Sequence, residues 1–315
     1  VPLRIVFCGT PAFAVPTLRA LAAQPDFQIA GVVTQPDRPR GRGQEVSASP
    51  VKRAATEAAI PVYQPERIKE QAAQDYFNTV AADVVVIIAY GQIIPARLIA
   101  IPRLGWINLH GSLLPKYRGA APIHWAVANG ETRTGLTTMQ IDAGLDTGPM
   151  LLKYETEIGP DETSPELYAR LAEAGAPLMV ETLRGLTGGT LKPTPQDDSR
   201  KSFAPPLKKE DGRIDWSLRA DQIYNRMRGF QPWPGAFTTF RGKACSVWGK
   251  PAPASESRAP GASGTIQLQN GEILVSAGDG TSLRLEAVQM EGRKRVAARE
   301  FANGARLAPG DHFGD

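Results

Sequence analysis

The chain is 315 residues long and 42% hydrophobic, with 36 basic against 32 acidic residues and a formal net charge of +4. That length supports more than one buried core, so a two-domain globular protein is expected; no apolar run approaches the roughly 20 residues that cross a bilayer, and the opening "VPLRIVF" has neither the basic segment nor the long apolar stretch of a secretory signal. Cys8 and Cys245 stand alone and the histidines number three, so neither a disulfide framework nor a metal site is expected, and the cytoplasm is the expected compartment.

In chain order, "LRIVFCG" is a short apolar run rich in β-branched residues, followed by the turn "TPAF" and a helical spacing through Leu18 and Leu21. "FQIAGVVT" and "DVVVIIAYG" repeat the buried-strand signature, and "SPVKRAATEAAI" and "ERIKEQAAQDYFNTV" read as helices between them. "LGWINLH" is a further strand, "AAPIHWAVANG" a helix stopped by Gly130, and "TGLTTMQID" with "GPMLLKYETEI" a later pair of strands. The alternation predicts an α/β domain: a Rossmann-like, mostly parallel sheet with helices on both faces. "SPELYARLAEAGAPLMVETLRGL" closes it as a helical segment that Pro177 should kink or break.

The stretch "GGTLKPTPQDDSRKSFAPP" loses periodicity and fills with Gly, Pro and charge, as a linker would. The expected organisation is a ligand-binding domain over 1–188, a linker over 189–206 and a second domain over 207–315. In that last part "RADQIYNRMRGF" reads as a helix ended by Gly229. Period-two alternation follows, across the hairpin signals Asn270-Gly271 and Asp279-Gly280. A mainly antiparallel, OB-like β-barrel is expected there. It carries all of the excess charge: residues 1–206 hold 20 basic and 20 acidic residues, and residues 207–315 hold 16 and 12. Lys208, Lys209, Arg293, Lys294 and Arg295 are the candidates for meeting a polyanion, although a basic surface can equally serve solubility.

Several short motifs carry chemistry. In "FCGTPAF", Gly9 is followed by Thr10, Pro11 and Phe13 rather than by further glycines at dinucleotide spacing, which argues against a nicotinamide or flavin cofactor but leaves a turn able to meet another ligand. In "WINLHGSLLPKYRGAAPI", Asn108 and His110 alternate on one strand, so they point to the same side. An imidazole with an ordinary pKa of about 6.5 suits acid–base work, and a carboxamide can donate to a developing oxyanion. "DAGLDTG" places Asp142 and Asp146 in a glycine-rich turn, where either carboxylate is able to orient His110. "TQPDRPRGRGQEVSASP" is a basic loop after the second strand, with Arg38, Arg40 and Arg42, and phosphate is its natural partner.

Taken together, "FCGTPAFAV", "TQPDRPRGRG", "IIAYGQIIP", "INLHGSLLPKYRGAAPI", "GLDTGPML", "IDWS" and "PWPG" resemble, in order and spacing, the methionyl-tRNA formyltransferases within the folate-dependent formyltransferase group. The likeness covers essentially the whole chain. It implies transfer of a formyl group from 10-formyltetrahydrofolate, bound as co-substrate without a metal, to the α-amino group of methionyl initiator tRNA. Residue by residue, it implies Asn108, His110 and Asp146 as the catalytic trio. Ser112, Leu113, Leu114 and Pro115 are implied as the folate-contacting turn, with Ala89, Tyr90, Gly91, Gln92 and Ile93 on the pterin side and Asp142 alongside. For the tRNA it implies Arg42 reading the acceptor end with Arg38 beside it, Gly9, Thr10, Pro11 and Phe13 near the substrate, and Lys208, Lys209, Arg293, Lys294 and Arg295 on the phosphates. A monomer with no membrane partner is expected. The alternatives are a formyltransferase acting on a small amine such as glycinamide ribonucleotide or an amino sugar nucleotide, a formyl-folate hydrolase, and a noncatalytic RNA-binding protein on the same fold.

Overall fold

Runs of Val, Ile and Phe without polar interruption have no face to offer water, and in the computed structural model, which describes residues 1–40, 45–253, 261–269 and 271–314, they make the centre of the first sheet. The elements run β1 (Leu3–Gly9), α1 (Val15–Ala22), β2 (Phe27–Val33), a small ribbon β3 (Arg38–Arg40) and β4 (Glu45–Ser47), then α2 (Pro50–Glu57), β5 (Val62–Tyr63), α3 (Gln71–Val80) and β6 (Val84–Ile88). They continue as α4 (Ala96–Ile99), β7 (Trp106–His110), α5 (Pro122–Ala128), β8 (Arg133–Gln140), β9 (Met150–Glu157) and α6 (Ser164–Thr187). The sheet order is β5-β2-β1-β6-β7-β8-β9. The pairs from β5 through β7 are parallel, and β8 and β9 add antiparallel strands at one edge. The chain moves outward from β1 to β5 and then returns to β6, so the order reverses between β1 and β6, the place where open α/β sheets bind ligands beyond the carboxyl ends of their strands.

Local signals explain most boundaries. The Ser49 side chain accepts from the Lys52 backbone N–H at 3.0 Å and Pro50 takes the first turn, which starts α2 as a capped helix. α3 begins at Gln71, later than the periodicity suggests, because the Ile68 N–H is taken by Gln92 Oε1 at 2.7 Å and the Ile68 side chain is buried there. α6 runs on through Pro177, contrary to the expected break. An interior proline costs about 3 kcal/mol. Leu171, Met179 and Leu183 on the same helix are fully buried, at about 1.5–3 kcal/mol each, and outweigh it.

The chain gathers into two compact units, and neither is a continuous stretch. The first is Val1–Pro122, Arg133–Glu157 and Glu166–Pro205; the second is Ile123–Thr132, Ile158–Pro165 and Pro206–Asp315. The segment expected as a linker therefore lies, up to Pro205, within the first unit. Thr194 and Met150 exchange both backbone hydrogen bonds at 2.8 Å, and Arg118 pairs with Ser202 and Ala204. Most of α5 goes with the second unit, where Trp125 meets Phe230 edge-on at 5.3 Å.

The second unit adds α7 (Ala220–Gly229), β10 (Phe237–Phe240), β11 (Lys243–Pro251), β12 (Ile266–Gln269), β13 (Glu272–Ser276), β14 (Ser282–Met290), β15 (Val296–Ala297) and α8 (Ala298–Ala305). Its antiparallel sheet runs β10-β11-β14-β13-β12, with β15 on β14. The hairpin signals fall between β12 and β13 and between β13 and β14, although Asn270 itself lies outside the described residues. The sheet's two edges are joined through the end of the chain: Phe313 bridges Phe240 and His312 bridges Thr265. The Gly314 N–H donates to Thr239 O at 3.0 Å and the Ile266 N–H to Asp311 O at 2.9 Å, closing the sheet into a barrel with no bare edge at that point. Phe313 is buried in the barrel core with Trp216, Phe240 and Phe301. Among the described residues no helix is long and apolar enough to cross a membrane.

Candidate functional site

All of β7 is buried, and its register places Asn108 opposite Ile87 on one side and Met139 on the other, with His110 opposite Thr137. Both polar side chains are thus embedded in a strand that the apolar Trp106, Ile107 and Leu109 hold in the sheet. The His110 Nε2 lies 2.9 Å from the Tyr117 carbonyl oxygen. A carbonyl only accepts, so this contact puts a hydrogen on Nε2 and leaves Nδ1 as the acceptor nitrogen of the neutral ring. Nδ1 faces Asp146 Oδ2 at 3.7 Å. The Asn108 carboxamide has no hydrogen-bond partner among the described residues, which leaves its N–H groups free to donate.

Asp146 sits in the loop between β8 and β9 with φ +51, a left-handed conformation uncommon for a residue with a side chain. Its Oδ2 accepts the Gly119 N–H at 2.8 Å. Gly119 is required there: its φ is +121, and a Cβ would stand 2.6 Å from Ala204 O. Asp142, the other carboxylate of the loop, is exposed and committed to its own turn, accepting the Gly144 N–H at 3.0 Å and the Thr147 hydroxyl at 2.7 Å. Of the two carboxylates that the sequence left open, the one beside His110 is Asp146.

The turn after β7 is bonded almost throughout. The Ser112 hydroxyl, fully buried, donates to Lys116 O at 2.6 Å. Thr137 Oγ1 accepts the Leu114 N–H and donates to Ser112 O, while the Lys153 ammonium donates to Leu114 O at 2.7 Å. Burial, and then the like charge of Arg200, pull the Lys153 ammonium below the ordinary lysine range. Leu114 and Pro115 are buried and Leu113 is half-buried, so this stretch presents a fixed backbone more than reaching side chains.

Across the switch point, Tyr90 O accepts the Thr10 hydroxyl at 3.2 Å and the Gln35 side chain at 3.1 Å, which ties the loops after β1, β2 and β6 together. Ala89 and Gly91 take positive φ, Gln92 is spent on Ile68 and Glu66, and Ile93 is 92% exposed. The buried Tyr90 hydroxyl has no partner among the described residues, and burial pushes its phenol above the ordinary range. Gly9 ends β1, Pro11 is half-buried, and the Phe13 ring packs into the unit against Tyr168 at 4.8 Å. Arg38 is exposed, and Arg42 lies outside the described residues.

In the second unit, Lys208 and Lys209 are exposed, and Lys209 borders a cleft of about 410 Å³ with Trp233, Phe237, Met290 and Gly292. Gly292 directly precedes Arg293, Lys294 and Arg295, all three exposed. The Arg295 guanidinium lies 4.0 Å over the Trp248 ring. Among the described residues no cluster of three or more metal-ligating side chains occurs.

Residues 3–183 match the family model described as formyl transferase, and residues 206–306 match the formyl transferase C-terminal domain. The chain belongs to the formyl transferase family. It is similar to the methionyl-tRNA formyltransferase of Solibacter usitatus, 55% identical over 314 residues with 99% of each chain covered. It is also similar to that of Acidobacterium capsulatum, 51% identical over 313 residues, covering 99% of this chain and 100% of the other. Among solved structures, a sugar 3N-formyl transferase in the presence of dTDP and 5-N-formyl-THF superposes with a TM-score of 0.66 at 18% identity, covering 93% of this chain and 100% of that one. An N-formyltransferase from Helicobacter canadensis gives 0.65 at 17%, covering 91% and 99%. At such identities these two likenesses speak to the fold alone.

The family's sequence motifs do not contain every residue that shapes the site. Gln196 and Ser202 come from the aperiodic stretch before the second unit, and no pattern in that stretch singles them out. Arg118 and Tyr117 lie within the motif after β7, but their partners become visible only in three dimensions.

Proposed function

We propose that this chain transfers the formyl group of 10-formyltetrahydrofolate to the α-amino group of methionyl initiator tRNA. One observation carries the reading: His110 Nδ1 faces the Asp146 carboxylate, beside the uncommitted Asn108 amide, in a chain similar along nearly its whole length to methionyl-tRNA formyltransferases. In this reading Asn108 donates an N–H to the formyl oxygen as the amine adds to the formyl carbon, and His110 takes the amine's proton at Nδ1 and gives it to N10 as the carbon–N10 bond breaks and tetrahydrofolate leaves. Asp146 stabilises the imidazolium that results. No covalent bond to the protein is required. The backbone of Ser112 to Pro115 and the loop Ala89 to Ile93 border the folate, with Asp142 acting by shaping its loop. Thr10 and its neighbours Gly9, Pro11 and Phe13 lie toward the acceptor, Arg42 reads the acceptor end with Arg38 beside it, and Lys208, Lys209, Arg293, Lys294 and Arg295 meet RNA phosphates.

All three members of the trio come from one chain, so a monomer suffices, and the tRNA substrate sets the work in the cytoplasm. The test is incubation with charged initiator tRNA, charged elongator methionine tRNA, and an amino sugar nucleotide, each with 10-formyltetrahydrofolate. Formylation of the initiator alone is the expected result. Formylation of the sugar alone moves the protein to small-amine transfer, and formate release with no acceptor present makes it a hydrolase.

A further inference from the structure

The Asp146 loop is held from outside by a side chain of the aperiodic stretch. Gln196 Nε2 donates to Asp146 O at 2.8 Å and to Gly148 O at 2.8 Å, which uses both of its hydrogens. Gln196 Oε1 accepts from Arg118 Nε at 2.9 Å and from Arg118 Nη2 at 2.8 Å, which uses both lone pairs. The amide's orientation is therefore fixed by its partners: the opposite flip would set its hydrogens against a guanidinium and its oxygen against two carbonyls. Arg118 is buried, 2% exposed, and its guanidinium also donates to Asp198 Oδ1 at 2.7 Å. That carboxylate lies only two residues beyond Gln196.

The same stretch reaches the other half of the site. Ser202 Oγ accepts the Tyr117 N–H at 2.9 Å, and Tyr117 takes φ +60 while its carbonyl holds His110 Nε2. Ala204 pairs with Arg118 at 2.8 Å and sits against Gly119, whose N–H holds the Asp146 carboxylate. Both members of the His110 and Asp146 pair thus depend on residues 196–204 for their placement.

We propose that Gln196 is a positioning residue for the transfer reaction, fixing the left-handed backbone of Asp146 by bridging it to the buried Arg118 guanidinium. No other side-chain type does this as well. Asparagine is one methylene too short to span the gap. A glutamate keeps the Arg118 contacts and adds charge to them, but it turns a carboxylate oxygen toward the two loop carbonyls and supplies no donor. Gln196→Glu therefore separates folding from positioning, because its retained ion pair preserves the packing around Arg118.

The kinetic part of this inference rests on the formyl-transfer reading; the loop part does not. The experiment compares wild type, Gln196→Glu and Gln196→Met for melting temperature, for steady-state formylation of charged initiator tRNA, and for hydrogen–deuterium exchange of peptides covering 142–148. In Gln196→Glu the expected result is an unchanged melting temperature and a kcat lower by about 10- to 100-fold, as for a small misplacement of a reacting group. KM for both substrates should stay within about threefold, since Gln196 touches neither. Exchange over 142–148 should quicken in both variants. A folded Gln196→Glu enzyme with wild-type kcat overturns the proposal, as does a loss carried wholly by KM. If wild type moves no formyl group, the functional reading falls, and the exchange rates alone decide the clamp: unchanged exchange in both variants removes it.

Discussion

His110 is buried and Asp146 nearly so, and each is fixed by a backbone group, the Tyr117 carbonyl for one and the Gly119 N–H for the other. The candidate phosphate contacts of the second unit are placed differently. Lys208, Lys209, Arg293 and Lys294 are exposed, and Arg295 lies over the Trp248 ring. A buried group has one geometry and no substitute, whereas an exposed ammonium on a long stem contributes part of a summed field. The first arrangement should fail abruptly on single substitutions and the second should weaken by degrees.

The largest effect tests whether the second unit is as tolerant throughout as its charges are. Phe313 is 1% exposed in the barrel core, and Phe313→Ala should lower stability by about 3–5 kcal/mol, read as a shift of the denaturation midpoint of the full chain. A shift corresponding to less than about 1 kcal/mol would mean that the end of the chain is dispensable to the barrel. In the first unit, His110→Ala should reduce formyl transfer by a factor of about 10² or more while leaving tRNA affinity nearly intact. A folded variant turning over at the normal rate would remove His110 from the chemistry. Asp146→Asn keeps the size and the acceptor oxygen for Gly119 but loses the charge facing Nδ1, so kcat should drop by about tenfold to a hundredfold with folate affinity little changed. If folate affinity collapsed and the bound complex reacted normally, Asp146 would be a binding residue instead. The smallest effect belongs to the exposed cluster. Neutralising Arg293, Lys294 and Arg295 together should weaken all tRNAs alike and flatten the dependence of affinity on salt by up to roughly one unit of slope per lost phosphate contact. An unchanged slope would take these residues out of the RNA path, and the comparison with them.

Much of the first unit is legible in the sequence because burial leaves a mark on composition. The runs at 5–9, 31–33 and 84–88 are apolar and buried on both faces, and the period of two in "WINLH" already sets Asn108 and His110 on one side. What holds that pair leaves no such mark. Gln196, Ser202 and Ala204 act through non-periodic hydrogen bonds and close backbone approach in a stretch with no period, so it reads as a tether. Pro177 is the opposite case, a strong local signal overruled by the burial of Leu171, Met179 and Leu183. The barrel's closure is also hidden, because Phe313 and His312 form single bridges and a one-residue pairing has no alternation to detect.

The interleaving of the two units limits how the molecule can be cut or recombined. A fragment ending near residue 188, where the pattern of the sequence invites a boundary, leaves out Gln196, Asp198, Ser202 and Ala204, and with them the scaffold on both sides of the His110 and Asp146 pair. A fragment starting at 207 lacks Ile123–Thr132 and Ile158–Pro165, which are compact with it. Inactivity of the first fragment, or weak RNA binding by the second, would then report a damaged scaffold rather than an absent function. A chimaera that exchanges the second unit between relatives must transplant three segments, and its last point of fusion lies after Pro205.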